Sequence, residues 1–194
     1  NGTPEVFIDP NKFSADGTTS LTTVSFSKDD KYEASGTSGG GSDWNTFQVM
    51  DARTKQVLAD KLEWIKFSGA AWFKDGFFYS RYDAPKEGQK LQELNYYQKL
   101  FFHKRGAPQS DEILVYHRPD QKEWGFNGHV TDDGRYLIIP VRQGTDTIAE
   151  SAIGLDQRNG LARGGLEPLA AVDPGGKRLQ PALQRFDLAD MAAG

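Results

Sequence analysis

Residues 36–40, Gly36-Thr37-Ser38-Gly39-Gly40, carry the Gly-x-Ser-x-Gly spacing of a nucleophile elbow, which would make Ser38 an acylating serine. An elbow needs a buried strand before the serine and a helix after it, whose N-terminus helps build the oxyanion hole. Here Ser38 runs into "GGSDWNTFQVMD", a Gly-rich loop followed by an alternating strand, so the segment is read as a loop and not as a catalytic centre. The three histidines, His103, His117 and His129, stand 14 and 12 residues apart with no HExxH or close pair, so no metal site is expected. Asp29, Asp30, Asp75, Asp132 and Asp133 occupy turn-like segments, where Asp is favoured for its backbone hydrogen bonds. No catalytic residue, metal or cofactor is therefore assigned. The distinctive polar cluster is "SGTSGGGSDW", in which Asp43 and Trp44 follow a run of Gly and Ser at the mouth of a strand. Either Asp43 faces a central opening or a partner, or it caps its own turn while Trp44 packs between sheets. Turn chemistry favours the second reading.

The elements that would position these residues are short strands with aromatic residues between Gly, Asp and Asn turns. Strands are predicted over 6–9, 21–26, 32–36, 46–51, 56–59, 71–73, 77–82, 98–104, 113–117, 129–131 and 136–141. Alternation puts Phe47 and Val49 on one face against Thr46 and Gln48, and Leu100 and Phe102 on one face against Lys99 and Phe101. A degenerate repeat, "SFSKDDKYEASG", "AWFKDGFFYSRY" and "HVTDDGRYLIIP", reads each time as strand, acidic turn, aromatic strand. Aligning Asp30, Gly76 and Gly134 gives spacings of 46 and 58 residues, near one four-stranded propeller blade if "APKEGQKLQELN" is an inserted loop. After Asp146 the aromatics nearly vanish, leaving Phe186 alone. Residues 147–194 are expected to form a divergent tail, with helices conceivable at 166–172 and 181–191.

Composition bounds the function. The 194 residues are 37% hydrophobic and 12% aromatic, enough to build a core. A net charge of -4 offers no broad basic field for a phosphate backbone, so nucleic acid is not an expected partner. Without cysteine there is no disulfide framework and no thiolate nucleophile. No apolar run approaches the ~20 residues that span a bilayer, so no membrane association is expected, and a cytoplasmic or periplasmic setting fits. The chain starts at Asn1, not Met, and is expected to begin partway into a longer protein.

Taken in order, "EVFIDPN", "GSDW", "WIKFSGAAWFKDGFFYSRY", "KLFFHKRGAPQSDEILVYH" and "VTDDGRYLIIPVRQGTD" resemble the prolyl oligopeptidase family over roughly residues 5–146. The resemblance implies an all-β fold, part of a seven-bladed propeller with about three four-stranded antiparallel blades over 1–146. It also implies a parent serine peptidase that cleaves short peptides after proline, with the propeller gating access to an α/β-hydrolase domain. Asp43 matches a family acid that pairs with a substrate-binding arginine of that domain. Phe67 matches a phenylalanine lining an outer subsite, and Arg142 an arginine at the same charged mouth. Trp44 and Thr145 complete the expected gating set. Gly125 departs from the bulky apolar residue that relatives often carry, with Phe126 a candidate substitute, and Thr145 stands where some carry cysteine. The triad is absent, so the chain alone is expected to be inactive, with the hydrolase domain and short proline-containing peptides as its partners. A non-enzymatic interaction module, or the lid of a related oligopeptidase specific for basic residues, are the alternatives. Three blades form an open arc; leaving ~600 Å² of apolar surface wet at a missing neighbour forfeits up to ~15 kcal/mol of burial. The chain is therefore expected to be marginal, or to cover its open faces with its tail or a second copy.

Overall fold

The computed structural model describes residues 3–85, 95–156 and 160–161, and among these the fold is strands and turns with two single-turn 3₁₀ segments, Pro10–Lys12 and Gln109–Asp111. The expected tail helices lie outside the described residues. The first sheet is an antiparallel meander of β1 (Thr19–Phe26), β2 (Tyr32–Gly39), β3 (Asn45–Asp51) and β4 (Val57–Ile65). The second is built the same way from β5 (Ala71–Phe73), β6 (Gly76–Arg81), β7 (Lys99–Lys104) and β8 (Ile113–His117). The third holds β9 (Trp124–Phe126), β10 (His129–Val130), β11 (Tyr136–Gln143), β12 (Asp146–Asp156) and β13 (Gly160–Leu161).

β9 and β10 are two parts of one strand, because both follow β11 in a single register: Phe126 opposes Val141 and His129 opposes Ile138. Pro140 causes the break. Asn127 N–H donates to its carbonyl at 3.4 Å, but proline has no N–H to return. The third sheet thus has four strand positions, and the described residues form three four-stranded blades, an all-β partial propeller. The first strands of successive sheets touch, β1 against β5 and β5 against β10, as blades fanned from an axis do.

The repeat seen in the sequence is real in space. In the first blade Ser27 N–H bonds Tyr32 O, Asp30 N–H bonds Ser27 O, and Asp29 accepts from Ser27 Oγ at 2.8 Å. Thr131, Tyr136, Gly134 and Asp133 repeat each of these bonds in the third blade. The turn requires a left-handed residue, which is Asp30 at φ 57° in one copy and Gly134 at φ 67° in the other. In the second blade the turn shortens, and Lys74 takes the positive φ.

Two cores hold the arc together. Between the first and second blades pack Ala34, Phe47, Val49, Leu62, Phe77, Tyr79 and Phe101. Between the second and third pack Phe78, Leu100, Phe102, Val115, Trp124, Leu137, Ile139 and Val141. The middle blade is buried on both faces, so Phe101, expected opposite the core face of β7, is inside as well, in the other core. Polar pins cross the first seam: Trp72 Nε1 donates to Ser25 O at 2.9 Å, and Ser25 Oγ to Ala70 O at 2.7 Å. Deeper, His103 Nε2 lies 2.8 Å from Asp60 Oδ1, which also accepts the Gly106 N–H. Arg81 pairs with Glu112 at 2.9 Å, and Tyr79 OH bonds the same carboxylate. Burial pushes the Glu112 carboxyl up to about 8.

The strand expected at 6–9 does not form. That segment lies across the open face of the first blade, with Phe7 on the ring of Phe26 at 5.3 Å and Lys55 Nζ held by Val6 O at 3.1 Å. Val24, Phe26 and Val57 stay partly exposed there. Strand structure also continues past Asp146, since β12 pairs along the whole of β11 and adds Ile148 and Ile153 to the second core.

Candidate functional site

The registers place the residues singled out in the sequence at one end of the arc. In the first blade Asn45 opposes Ile65, so the β2–β3 turn carrying Asp43 and the β4–β5 linker carrying Phe67 emerge together. Tyr82, at the end of β6, reaches the same spot in the second blade and donates its N–H to Trp64 O at 3.0 Å. The third blade joins through Gln98, whose Oε1 accepts the Phe126 N–H at 2.6 Å beside Gly125, and Gly125 opposes Arg142. Asp43, Phe67, Arg142 and Thr145 therefore share a rim, the first two on one blade and the last two on the third, and all four side chains are exposed. Among the described residues no ion pair joins Asp43 to Arg142.

The β2–β3 turn is built to leave Asp43 open. Gly40 and Gly41 take φ of 62° and 70°, which turns the chain after β2, and Ser38 Oγ bonds the Ser42 carbonyl. Ser42 does the capping that Asp43 was expected to do: its Oγ accepts the Trp44 N–H at 3.1 Å. Asp43 contributes its carbonyl to Asn45 Nδ2, and its side chain projects free of the turn. The element that follows Ser38 and its turn is the strand β3, not a helix, so the elbow reading has no geometry to support it.

Trp44 is the anchor beneath. At 9% exposure it sits across the seam, edge-on to Trp64 of its own blade and to Tyr82 of the next, each at 6.0 Å. Lys66 Nζ lies 4.1 Å over its ring, a cation–π contact tying the Asp43 turn to the linker. One residue on, Phe67 is 68% exposed with φ 55°, and Trp64 has φ 65°. Two bulky residues in the left-handed region are strained, and the linker holds them through Ser68 Oγ, which accepts the Ser80 N–H at 2.7 Å. Arg142 lies beside an irregularity in the β11–β12 ladder, and Thr145 follows Gly144, at φ 60°, in the hairpin turn.

Phe126 does not replace the missing bulk at Gly125. The pleat sends Trp124 and Phe126 into the second core, where Phe126 meets Tyr116 edge-on at 4.9 Å, while Gly125 faces the other way against Gln98. The sequence reading also missed Lys66, Tyr82 and Gln98, which join the blades at this rim; a polar residue among the aromatics of "NYYQKLFF" was the one local hint of Gln98. Among the described residues no group of His, Cys, Asp or Glu could hold a metal ion, and no helix is long and apolar enough to cross a membrane.

The family described as the prolyl oligopeptidase N-terminal β-propeller domain matches residues 1–178. The chain belongs to the prolyl oligopeptidase family. It is 46% identical over 146 residues to a prolyl endopeptidase of Elizabethkingia meningoseptica, covering 75% of this chain and 21% of that one. To prolyl oligopeptidase A of Galerina marginata it is 36% identical over 153 residues, or 70% of this chain and 21% of the relative. A solved structure from an analysis of two prolyl endopeptidases superposes with a TM-score of 0.71 at 33% identity, over 79% of this chain and 21% of that one. Prolyl oligopeptidase B of Galerina marginata, bound to a 25mer macrocyclization substrate, gives 0.72 at 28% identity, over 81% and 23%. The chain thus spans about a fifth of the length of these relatives, and its match to the family runs past Asp146.

Proposed function

We propose that the chain forms part of the substrate-gating propeller of a serine-type prolyl oligopeptidase, working against an α/β-hydrolase domain that cleaves short peptides after proline. The observation that carries this reading is the common rim: an exposed carboxylate and an exposed phenyl ring on the first blade and an exposed guanidinium on the third, all at the same end of the arc. In this proposal Asp43 faces an arginine of the hydrolase domain and orients its guanidinium for the peptide backbone, a geometric contribution to binding. Phe67 supplies an apolar wall for the outer part of the peptide. Arg142, with Thr145 beside it, sets the charge of the opposite side, and Trp44 holds the Asp43 turn in place. The acylating serine, its base and its acid come from the hydrolase domain.

The test is cleavage of matched short peptides bearing Pro, Lys or Arg before the scissile bond, by the polypeptide that joins this chain to its hydrolase domain. Preferential cleavage after Pro supports the proposal, and preference for Lys or Arg moves the chain to the basic-specific branch. Absence of any cleavage leaves it a binding module and overturns the proposal.

A further inference from the structure

Gln98 is 1% exposed and lies where all three blades converge at the rim. Its Nε2 donates to Lys66 O at 2.9 Å, and its Oε1 accepts from Phe126 N at 2.6 Å. The first partner is the residue just before Phe67. The second is the residue just after Gly125, which opposes Arg142 across β9 and β11. One carboxamide therefore spans from the linker carrying Phe67 to the edge carrying Arg142, with both ends of the amide used. The surroundings fix its place: Tyr97 before it takes φ 60° and donates its N–H to Lys122 O at 2.7 Å, and Lys99 after it starts β7. Gly125 makes room for it, since a Cβ at that position would stand 3.3 Å from Gln98 Oε1. Any larger residue at position 125 would therefore press on the accepting end of the bridge.

We propose that Gln98 is a positioning residue, whose carboxamide fixes the Phe67 linker against the Gly125–Arg142 edge so that the rim meets a peptide as one rigid surface. The consequence for peptides rests on the gating function proposed above; the coupling between the two segments does not. A carboxamide is suited to this task because it donates and accepts from one rigid plane. A thioether of similar shape donates nothing and accepts only weakly. A carboxylate accepts only, but a protonated carboxyl again donates and accepts.

The experiment compares Gln98→Met and Gln98→Glu with the parent, in the polypeptide that includes the hydrolase domain, by amide hydrogen exchange and by kcat and KM for a short proline peptide. In Gln98→Met, losing both bonds raises exchange at the Phe126 amide and at residues 67–69 by about tenfold, and raises KM about five- to tenfold with kcat nearly unchanged. Gln98→Glu at about pH 8 still accepts the Phe126 N–H but has no donor for the Lys66 carbonyl, so exchange rises at residues 67–69 and not at Phe126, and KM rises as in Gln98→Met; at about pH 5, where its buried carboxyl is protonated, both return toward the parent. Recovery of this kind is something a merely space-filling side chain cannot give. Faster exchange with an unchanged KM, or a Gln98→Glu variant that does not recover in acid, overturns the positioning role. If Gln98→Met does not fold, the acid recovery of Gln98→Glu decides. Should the parent polypeptide fail to cleave after proline, it is the gating function that falls, and exchange at Phe126 and 67–69 still decides the coupling: unchanged rates in both variants refute it.

Discussion

Glu33 is the residue whose replacement should change the stability of this chain most informatively. It lies on β2, directly opposite Phe26 of β1 and Met50 of β3, on the face of the first blade turned away from its neighbours. It is fully buried, and neither carboxylate oxygen is within hydrogen-bonding geometry of a partner, the Ser35 hydroxyl two residues along the strand being the polar group that offsets part of its burial. Burial pushes its carboxyl up from an ordinary 4.5 to about 7. Below pH 4.5 the acid is neutral in both folded and unfolded chains, and the shift costs nothing. As pH rises toward 7 the unfolded chain ionises while the folded one resists, so stability falls across that window and levels off above it. The full loss is about 3 kcal/mol, on the scale of 1.4 kcal/mol per pH unit. Glu33→Gln removes the charge at constant shape, and Glu33→Leu also removes the unsatisfied polar group, worth about 1–3 kcal/mol more. Urea unfolding of the 194-residue chain, followed by tryptophan fluorescence, measures both. The parent and Glu33→Gln should be nearly equal at pH 4.5, with the variant ahead by up to about 3 kcal/mol at pH 7.5 and Glu33→Leu further ahead. A gap between parent and Glu33→Gln that does not grow with pH, or a Glu33→Leu variant that is destabilised, would refute the assignment of an ionisable, unpartnered acid to this face.

Asp43→Asn and Arg142→Ala, both on exposed side chains, should leave the unfolding free energy in urea within about 0.5 kcal/mol of the parent. Assayed with the hydrolase domain, each should raise KM for short proline peptides about tenfold. Phe67→Gly relieves a left-handed phenylalanine and should gain about 1 kcal/mol in urea unfolding while weakening the same peptides; a loss of stability would show that φ 55° carries no strain. Asp60→Ala strands His103 Nε2 and the Gly106 N–H inside the first seam, and should cost about 3 kcal/mol by the same measurement.

Much of the architecture was legible in the sequence because local rules governed it. The turn after β1 and the turn after β10 place a hydroxyl, a carboxylate and a left-handed residue at the same three positions, so "SKDD" and "TDDG" announce the repeat in the sequence itself. Phe47 and Val49 alternate cleanly because β3 has a core on one side only. Alternation said less about "LFFHK", where β7 is covered on both faces and Leu100, Phe101, Phe102 and His103 are all buried. β9 was missed because two core aromatics flank one glycine in a strand of three residues. β12 was missed because its pairing with β11 requires no aromatics. The segment at 6–9 reads as a strand, but its residues pack over a blade face instead of joining a ladder.

Asp43, Phe67, Arg142, Trp44 and Thr145 were named as candidates through the resemblance to the prolyl oligopeptidase family, whereas turn chemistry over a few positions was enough to read Ser38 as a loop residue and not an elbow serine. That the four exposed residues share one rim was decided by strand registers in three separate sheets. That Ser42, not Asp43, caps the turn depended on which side chain the folded loop brings to the Trp44 N–H. Gln98 and the Asp60–His103 pair join residues 28 to 43 positions apart. Such contacts carry no local pattern, because the groups that satisfy a buried polar atom are chosen by the packing of one blade on the next.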